Sequence, residues 1–573
     1  MKRATAGLGR SDSVTLENLV FNLGPLTYRL PKVELSGASL SQADLTALLA
    51  PASSEPAAAR LARLSAREAR IPELRIEQSW AGFRGVAVYR DLVARDIVNG
   101  RIGSLASPSA TLEATAENLG TIKATSGRAT LEGLDLAHTA AVFGGTTGAA
   151  QAELKTLYGA FAMDAFAMTG PQGFDLRVSR ITGSGVKARP VGQAWNTYLT
   201  LVSQQPDLEK LAPADRARLF TAMADLYEGV EVGAMEATGL EFRNPGPKEQ
   251  ATGRVARIAF TGENATRPAD MRAEGMDIET NEGKVRIASL ASTGFSYKDT
   301  IKGLRSLGEK PLDKLEAAEL RRLIPTFGTI RLAGLDIVPN GNGKLPGTQK
   351  IRLGIKDMEI TADKPLNGIP TNVRVALDHM TFELPPDTNE DGFKELLAMG
   401  YKALDVSLAT AASWNEPGSE IVLREVSVRG TDMGSALLRG VIGNVGKEVF
   451  DVDPAVAMVA VIGATARNLE LRVENNGLFE RLLAQQAKKQ GKSAEDLRRE
   501  YGVAAAAVIP ALLGNSPNAK SLGQAIGRFV AKPGRLTISA RTKDPAGIGF
   551  SDVAVSPDPA AILDKLEITA TVE

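Results

Sequence analysis

The side chains that could do chemistry are few, and their spacing does not assemble a catalytic set. Histidine, the commonest general base and metal ligand, occurs twice, as His138 and His379. His138 follows a strand-like run with no carboxylate pattern beside it. His379 fills a slot where similar stretches carry Gly, Asn or Asp. Both read as structural. A Ser-His-Asp triad would need one of them, and no Gly-x-Ser-x-Gly turn supplies its nucleophile. The chain has no cysteine, which excludes disulfides, thiolate catalysis and cysteine metal sites. Gly491-Lys492-Ser493 lacks the preceding glycine of a phosphate loop and reads as a turn between helices. Asn340-Gly341-Asn342-Gly343-Lys344 has no following helix to hold a phosphate and reads as a hairpin or loop. The expectation is therefore a protein that is not an enzyme.

The sharpest metal candidate is Asp387, Asn389 and Asp391 within Asp387-Thr388-Asn389-Glu390-Asp391-Gly392. Oxygen ligands at positions one, three and five, followed by Gly, match the first half of a calcium loop. Position twelve is Ala398 where a bidentate Glu is needed, and the same residue types cluster in ordinary turns and helix N-caps. Calcium is the only cofactor the sequence suggests.

Composition narrows the partners. Lys plus Arg and Asp plus Glu number 67 each, which argues against nucleic acid, since that needs a basic surface. It leaves apolar partners open. Hydrophobic residues are 43% of the 573 but aromatics only 5%, which suits thin layers built from Ala, Val and Leu. The basic start, Met1 to Arg10, lacks the apolar core of a signal peptide. The apolar runs Ala455 to Ala464 and Val503 to Leu513 are too short to cross a bilayer, so membrane contact is expected to be peripheral at most.

The elements that must position these residues come from a recurring phrase. It reads Gly133-Leu134-Asp135-Leu136, Gly239-Leu240-Glu241-Phe242, Gly275-Met276-Asp277-Ile278 and Gly334-Leu335-Asp336-Ile337, with looser copies at Asn18, Asp357, His379 and Asn468. Apolar residues two apart share one face of a strand, and the first residue tolerates unusual backbone angles. The acid between the apolar positions points to solvent. A second pattern, apolar-x-x-apolar-x-x-x-Gly, recurs at Leu30, Val33, Gly37; Val178, Ile181, Gly185; Ile287, Leu290, Gly294; and Leu423, Val426, Gly430. A spacing of three puts the apolar pair on opposite faces of a regular strand. Either the strand is buried on both faces or a bulge restores the register.

The predicted fold class is mainly β with α insertions (α+β): elongated repeats of antiparallel twisted sheet capped by helical excursions, with a helical C-terminal segment. Four units follow. They are 1–150 with a helical insertion at 42–68, 151–270 with one at 191–227, 271–385 with one at 298–323, and 386–573 with insertions at 434–462 and 478–531. Two amphipathic helices, Ala214 to Leu226 and Leu315 to Ile324, either close the sheet or act as an apolar lid or membrane contact. Leu219, Phe220, Met223, Leu226, Leu320 and Leu323 are the lid candidates.

The Gly-Leu-acid-apolar phrase resembles the β-repeats of AsmA-like, bridge-type envelope proteins. That resemblance implies long curved sheets with an apolar groove and a role in lipid movement or outer-membrane biogenesis. Gly400-Tyr401-Lys402-Ala403-Leu404-Asp405-Val406-Ser407 with Trp414, Gly491-Lys492-Ser493, and Lys532-Pro533-Gly534-Arg535-Leu536-Thr537-Ile538 look like a group of uncharacterised exported bacterial proteins. That likeness covers about the last 190 residues and implies no catalytic residues. The leading expectation is a non-enzymatic protein of the periplasm or cell envelope that binds lipid or another apolar ligand in a β-sheet groove. The alternative is a scaffold that forms a homo-oligomer or docks a protein partner through sheet edges or its apolar face.

Overall fold

The computed structural model describes residues 13–23, 26–49, 55–80, 82–116, 120–143, 153–204, 207–246, 250–340, 351–549 and 559–573. The start of the chain and most of the Asn340 to Lys344 loop therefore lie outside the described residues. The protein is mainly β, and its strands pair antiparallel. The chain divides into two compact units: residues 1–280 with 296–315, and residues 281–295 with 316–573. The sequence segment 271–385 is shared between them.

The first unit contains β1 (Ser13–Leu23), β2 (Leu26–Ser36), β3 (Ala66–Trp80), β4 (Phe83–Val98), β5 (Arg101–Ser107), β6 (Ser109–Ala116), β7 (Gly120–Ser126), β8 (Ala129–Asp135), β9 (Lys155–Thr169), β10 (Asp175–Ala188), β11 (Val230–Glu231), β12 (Ala234–Pro245), β13 (Gln250–Thr261) and β14 (Ala269–Thr280). Strands β1 to β4 pair in sequence order. Strand β4 then forks, pairing with β5 at one end and β6 at the other. The fork closes again on β9 through β8 and β7, and the sheet continues through β10, β12, β13 and β14. Its helices are α1 (Gln42–Leu48), α2 (Ala57–Leu61), α3 (Leu136–Phe143), α4 (Ala194–Gln204), α5 (Pro213–Gly229) and α6 (Lys298–Leu307).

The second unit is a plainer meander. It runs β15 (Gly283–Phe295), β16 (Gly328–Pro339), β17 (Leu353–Leu366), β18 (Ile369–Glu383), β19 (Ala403–Asn415), β20 (Glu420–Gly430), β21 (Gly434–Gly443), β22 (Thr465–Asn475), β23 (Arg535–Thr542), the short β24 (Ile548–Gly549) and β25 (Leu566–Val572). Each long strand pairs with the next. Its helices are α7 (Ala317–Arg322), α8 (Asp391–Ala398), α9 (Pro454–Ile462), α10 (Leu478–Gln490), α11 (Ala494–Leu512), α12 (Pro517–Ala531) and α13 (Pro559–Leu563).

Two helical readings of the sequence are corrected. Residues 434–443 form strand β21, held between β20 and β22. Ala66–Glu68 begins β3. In both places ladder pairing with neighbours outweighs an Ala-, Leu- and Arg-rich composition that favours helix.

The spacing of three is resolved by backbone geometry. Leu30 and Val33 pair with Leu19 and Leu16, and all four pack in one apolar cluster. Between Leu16 and Leu19 lies Asn18, at φ 55°. A residue in the left-handed region turns the pleat, so the residue three positions on returns to the same face. The same device recurs where Gly239 at φ 62° lies between Ala237 and Leu240, which face Ile181 and Val178. Gly334 at φ 64° does this between Leu332 and Leu335, opposite Leu290 and Ile287. Glycine is demanded twice over: a Cβ on Gly239 would fall 2.3 Å from Ser179 Oγ, and one on Gly334 would fall 2.7 Å from Ala288 Cβ. His379, at φ 48°, occupies the same slot in β18, with an extra residue there relative to β19.

The two faces of these strands differ in chemistry. In the second unit Leu290, Leu332, Met358, Leu377, Leu408 and Val428 are successive cross-strand partners. The other face carries ion pairs: Arg352 with Asp336 at 2.9 Å, Arg331 with Asp357 at 2.8 Å, and Arg374 with Glu359 at 3.2 Å. Of the strand-phrase acids Asp336 lies in this ladder, and in the first unit Asp135 pairs with Arg101 and Asp277 with Arg254, both at 3.2 Å. Exposed pairs of this kind contribute roughly 0–1 kcal/mol each. Their main effect is to set which face is wet.

Candidate apolar binding cavity

In the first unit the apolar face encloses space instead of filling it. A cavity of about 560 Å³ is bounded by β1 to β5, β8, β9 and the three short helices α1, α2 and α3. Its strand walls carry Leu16, Leu30, Ile71, Leu92, Ile102 and Phe161. Alanines Ala69 and Ala94, both buried, line it where a larger side chain would fill it.

The helices are placed by local chemistry. Ser41 caps α1, its hydroxyl accepting from Asp44 N at 3.2 Å, and directs Leu45 and Leu48 inward, where both are buried. Leu49, Leu61 and Leu64 continue this cover over the cavity. Helix α3 opens with Asp135, whose carboxylate accepts from His138 N at 2.8 Å. It is strapped to β10 by His138, whose Nε2 donates to the Ala188 carbonyl at 2.9 Å. His138 is thus a strap at the edge of the cavity cover.

Few polar groups reach the lining. Ser107 Oγ is engaged with the Arg90 and Ser109 carbonyls at 2.7 and 2.8 Å. Thr139 donates to the Asp135 carbonyl at 2.6 Å. Burial pushes the Tyr28, Tyr89 and Tyr158 phenols up, so all three stay neutral at ordinary pH. Tyr28 stacks on Phe21 with ring centroids 5.0 Å apart. Among the described residues no charged side chain lines the cavity. Such a lining offers a ligand mainly shape and apolar contact.

The lid candidates go elsewhere. Leu219 and Phe220 on α5 are buried, and Leu219 packs with Leu201 and Leu211 in a cluster between α4 and α5. Leu226 is half-buried beside Val191, Ala194 and Ala222, and Met223 is exposed. Leu320 on α7 is exposed and Leu323 is half-buried. None of them lines the cavity of the first unit. The residues that do cover it were not singled out from sequence. Their signal was the Leu45, Leu48, Leu49 spacing, one face of a short helix.

Asp387, Asn389 and Asp391 lie in the turn that leads into α8. Thr388 is buried and its hydroxyl accepts from Glu390 N at 3.2 Å. Asp391 opens α8 fully exposed and turns to Lys394 at 3.4 Å. Among the described residues no group of three or more acidic or histidine side chains could hold a metal ion. The turn-and-N-cap reading accounts for this stretch.

His379 sits in a polar cluster on the wet face of the second unit. Its Nδ1 lies 2.9 Å from Asp405 Oδ1, and its backbone N donates to Ser407 Oγ at 3.1 Å. Ser407 in turn donates to Asp378 at 3.2 Å, and Thr431 to Asp405 at 2.9 Å. Partial burial alone would raise the Asp405 pKa. The hydrogen bonds from His379 and Thr431, with Arg429 nearby, outweigh it and hold the carboxyl below the ordinary aspartate range. Ser407 faces a carboxylate, so this is a bracket for a left-handed residue.

The C-terminal helices are ordinary in their capping. Ser493 caps α11, accepting from Asp496 N at 3.1 Å, and Gly491-Lys492-Ser493 is the turn from α10. A family model described only as "Uncharacterized protein" matches residues 427–573. It takes in the Gly491-Lys492-Ser493 and Lys532 to Ile538 stretches and begins beyond Gly400 to Trp414. No curated protein and no solved structure matches the chain.

Proposed function

We propose that the protein is a non-enzymatic lipid-binding protein of the cell envelope, taking an acyl chain or another aliphatic ligand into the cavity of the first unit. The observation that carries this reading is the cavity itself. It has about 560 Å³, within the roughly 300–1,000 Å³ typical of small-molecule sites, and an almost wholly apolar lining. Moving each methylene from water into such a lining gains about 0.8 kcal/mol, so an unbranched chain is favoured over a polar ligand of similar volume. The likeness of the Gly-Leu-acid-apolar strands to AsmA-like envelope proteins supports the same ligand class.

Native mass spectrometry of the full chain should find co-purified lipid. Ala94→Trp puts an indole into the cavity and should weaken binding of a fluorescent fatty acid by at least about tenfold. Wild-type protein that is lipid-free, and that binds the fatty acid no better than the variant, would end this reading. A second reading, a scaffold that docks partners through its apolar face, is favoured by Val375, Leu408 and Val428, which remain exposed in the second unit. Lipid-free oligomers of defined size in light scattering would support it.

A further inference from the structure

One end of the second unit's sheet gathers helical elements that, among the described residues, leave large apolar side chains exposed. The antiparallel register fixes which chain segments share that end. Gly328 starts β16 opposite Ala362. The β17–β18 turn follows at Asn367 and Gly368. Next come Asn415 opposite Glu420, Gly443 opposite Thr465, Asn468 opposite Arg541, and Thr542 opposite Leu566. From β16 to β25 these strand ends span eight spacings of about 4.8 Å, roughly 40 Å measured strand to strand.

Three elements lie along this edge. Helix α7 and the stretch leading into β16 expose Leu320, Ile324 and Phe327. Helix α9 is a whole excursion between the end of β21 and the start of β22, and it exposes Met458, Val459 (71%) and Ile462. The tip of the α11–α12 hairpin exposes Val508 and Leu512 (72%). The tip is held at the start of β25 by Asn518, whose Nδ2 donates to the Leu563 and Leu566 carbonyls at 3.1 and 3.0 Å.

These elements are tied into one surface. Arg321 of α7 donates to the Asp451 carbonyl at 2.7 Å, and Asn367 of the β17–β18 turn to the Phe450 carbonyl at 3.0 Å. Trp414 Nε1 donates to the Val445 carbonyl at 2.8 Å. Asp453 caps α9 by accepting from Ala455 N at 2.8 Å, and Asn444 holds its other end through the Gly463 carbonyl at 2.6 Å. Thr465 donates to the Ala546 carbonyl at 2.7 Å, linking the exit of α9 to the loop after β23. The exposed side chains are presented by fixed backbone.

Two stretches at this end carry no charge, while α7 beside them carries Glu319, Arg321 and Arg322. Pro454 to Ala466 and Gly502 to Ala519 contain no Asp, Glu, Lys or Arg. The far end of α11 carries Glu495, Asp496, Arg498, Arg499 and Glu500, with Lys488, Lys489 and Lys492 just before it. We propose that this end docks on the surface of a lipid bilayer, with the uncharged α9 and α11–α12 tip entering the boundary between headgroups and acyl chains. Several features favour a bilayer over a protein. The contact is spread along a broad edge, the exposed large side chains of α9 and of the α11–α12 tip are aliphatic and sit in stretches without charge, and apolar patches on this scale mark interaction sites. The absence of basic residues within both stretches means that anionic lipid is not required.

The test is flotation of the full chain with phosphatidylcholine vesicles. Wild-type protein should float with the vesicles, equally at low and high salt. Val459→Asp combined with Leu512→Asp should lower the bound fraction by at least about tenfold. Both positions are exposed, so the variant should keep the wild-type circular dichroism and melting temperature. Lys492→Glu at the opposite end should change nothing. Protein that stays with the solution, that floats only with anionic vesicles at low salt, or that self-associates through Val459 and Leu512 without binding vesicles would overturn the proposal. The cavity is tested separately: Ala94→Trp should leave flotation unchanged, and Val459→Asp with Leu512→Asp should leave fatty-acid binding unchanged.

Discussion

Strands of the same composition behave differently in the two units. In the first, the apolar rows of β1 to β5 face α1, α2 and α3, and Leu45 reaches 0% exposure. In the second, the row through Leu377, Leu408 and Val428 belongs to equally well-paired strands, yet Leu408 keeps 44% exposure. The ladder pattern does not distinguish them; what differs is the cover. Three helices of five to eight residues turn one face into a cavity, and their absence leaves the other as a surface. A sheet face is therefore a site only in combination with what closes it.

The largest expected effect breaks this contrast at its cover. Leu45→Ala removes a fully buried side chain at the junction of α1 with β1 to β5 and should cost about 2–5 kcal/mol. Leu408→Ala, chemically the same change in the open row, should cost less than about 1 kcal/mol because little area returns to water. Urea unfolding reports each, with Trp195 in the first unit and Trp414 in the second as fluorescent reporters. Equal losses at the two positions would mean that the faces are not differently covered.

A second test addresses what the units have in common. Gly239→Val in the first unit and Gly334→Val in the second each place a β-branched side chain at positive φ and drive a Cβ into Ser179 or Ala288. Left-handed strain and overpacking together should cost about 2–4 kcal/mol at either position. Ser179→Gly should recover part of the loss in Gly239→Val by removing the clash while the strain remains. No recovery would show that the close approach is unimportant.

Legibility followed the range of the interaction. The antiparallel, mainly β character was readable because period-two alternation is local. The choice between two-sided burial and a bulge stayed open in the sequence, and only the positive φ of Asn18 and Gly239 resolves it. Residues 434–443 were misread as helix because Ala436, Leu437 and Leu438 favour helix locally, and only β20 and β22 make them strand. The lid candidates on α5 were chosen as an apolar stripe, but such a stripe does not say which surface it meets. Leu219 meets α4, while the cavity is covered by helices too short to show a clear period. Asp387 to Gly392 was ambiguous for a similar reason: the same letters serve a calcium loop or a turn, and here Thr388 and Lys394 bond within a turn and a helix start.

The smallest effect sharpens the comparison at the one slot where a histidine replaces glycine. His379 holds φ 48° and is paid for by its bonds to Asp405 and Ser407. His379→Gly removes about 1–2 kcal/mol of left-handed strain and loses one charge-assisted hydrogen bond of similar size, so its net change at neutral pH should stay below about 1 kcal/mol. The pH dependence separates the two terms. The folded pKa of Asp405 is lowered, so its stabilisation is fully present above the ordinary aspartate pKa of about 3.9. It is lost as pH falls below that value through the folded pKa. Asp405→Asn should therefore flatten the fall in stability below about pH 4, and His379→Gly should flatten it in part, because Thr431 still donates to the carboxylate. An acid limb identical in wild type and both variants would show that His379 occupies its slot without help from Asp405, and the difference between the glycine and histidine copies of the strand phrase would then carry no energetic meaning.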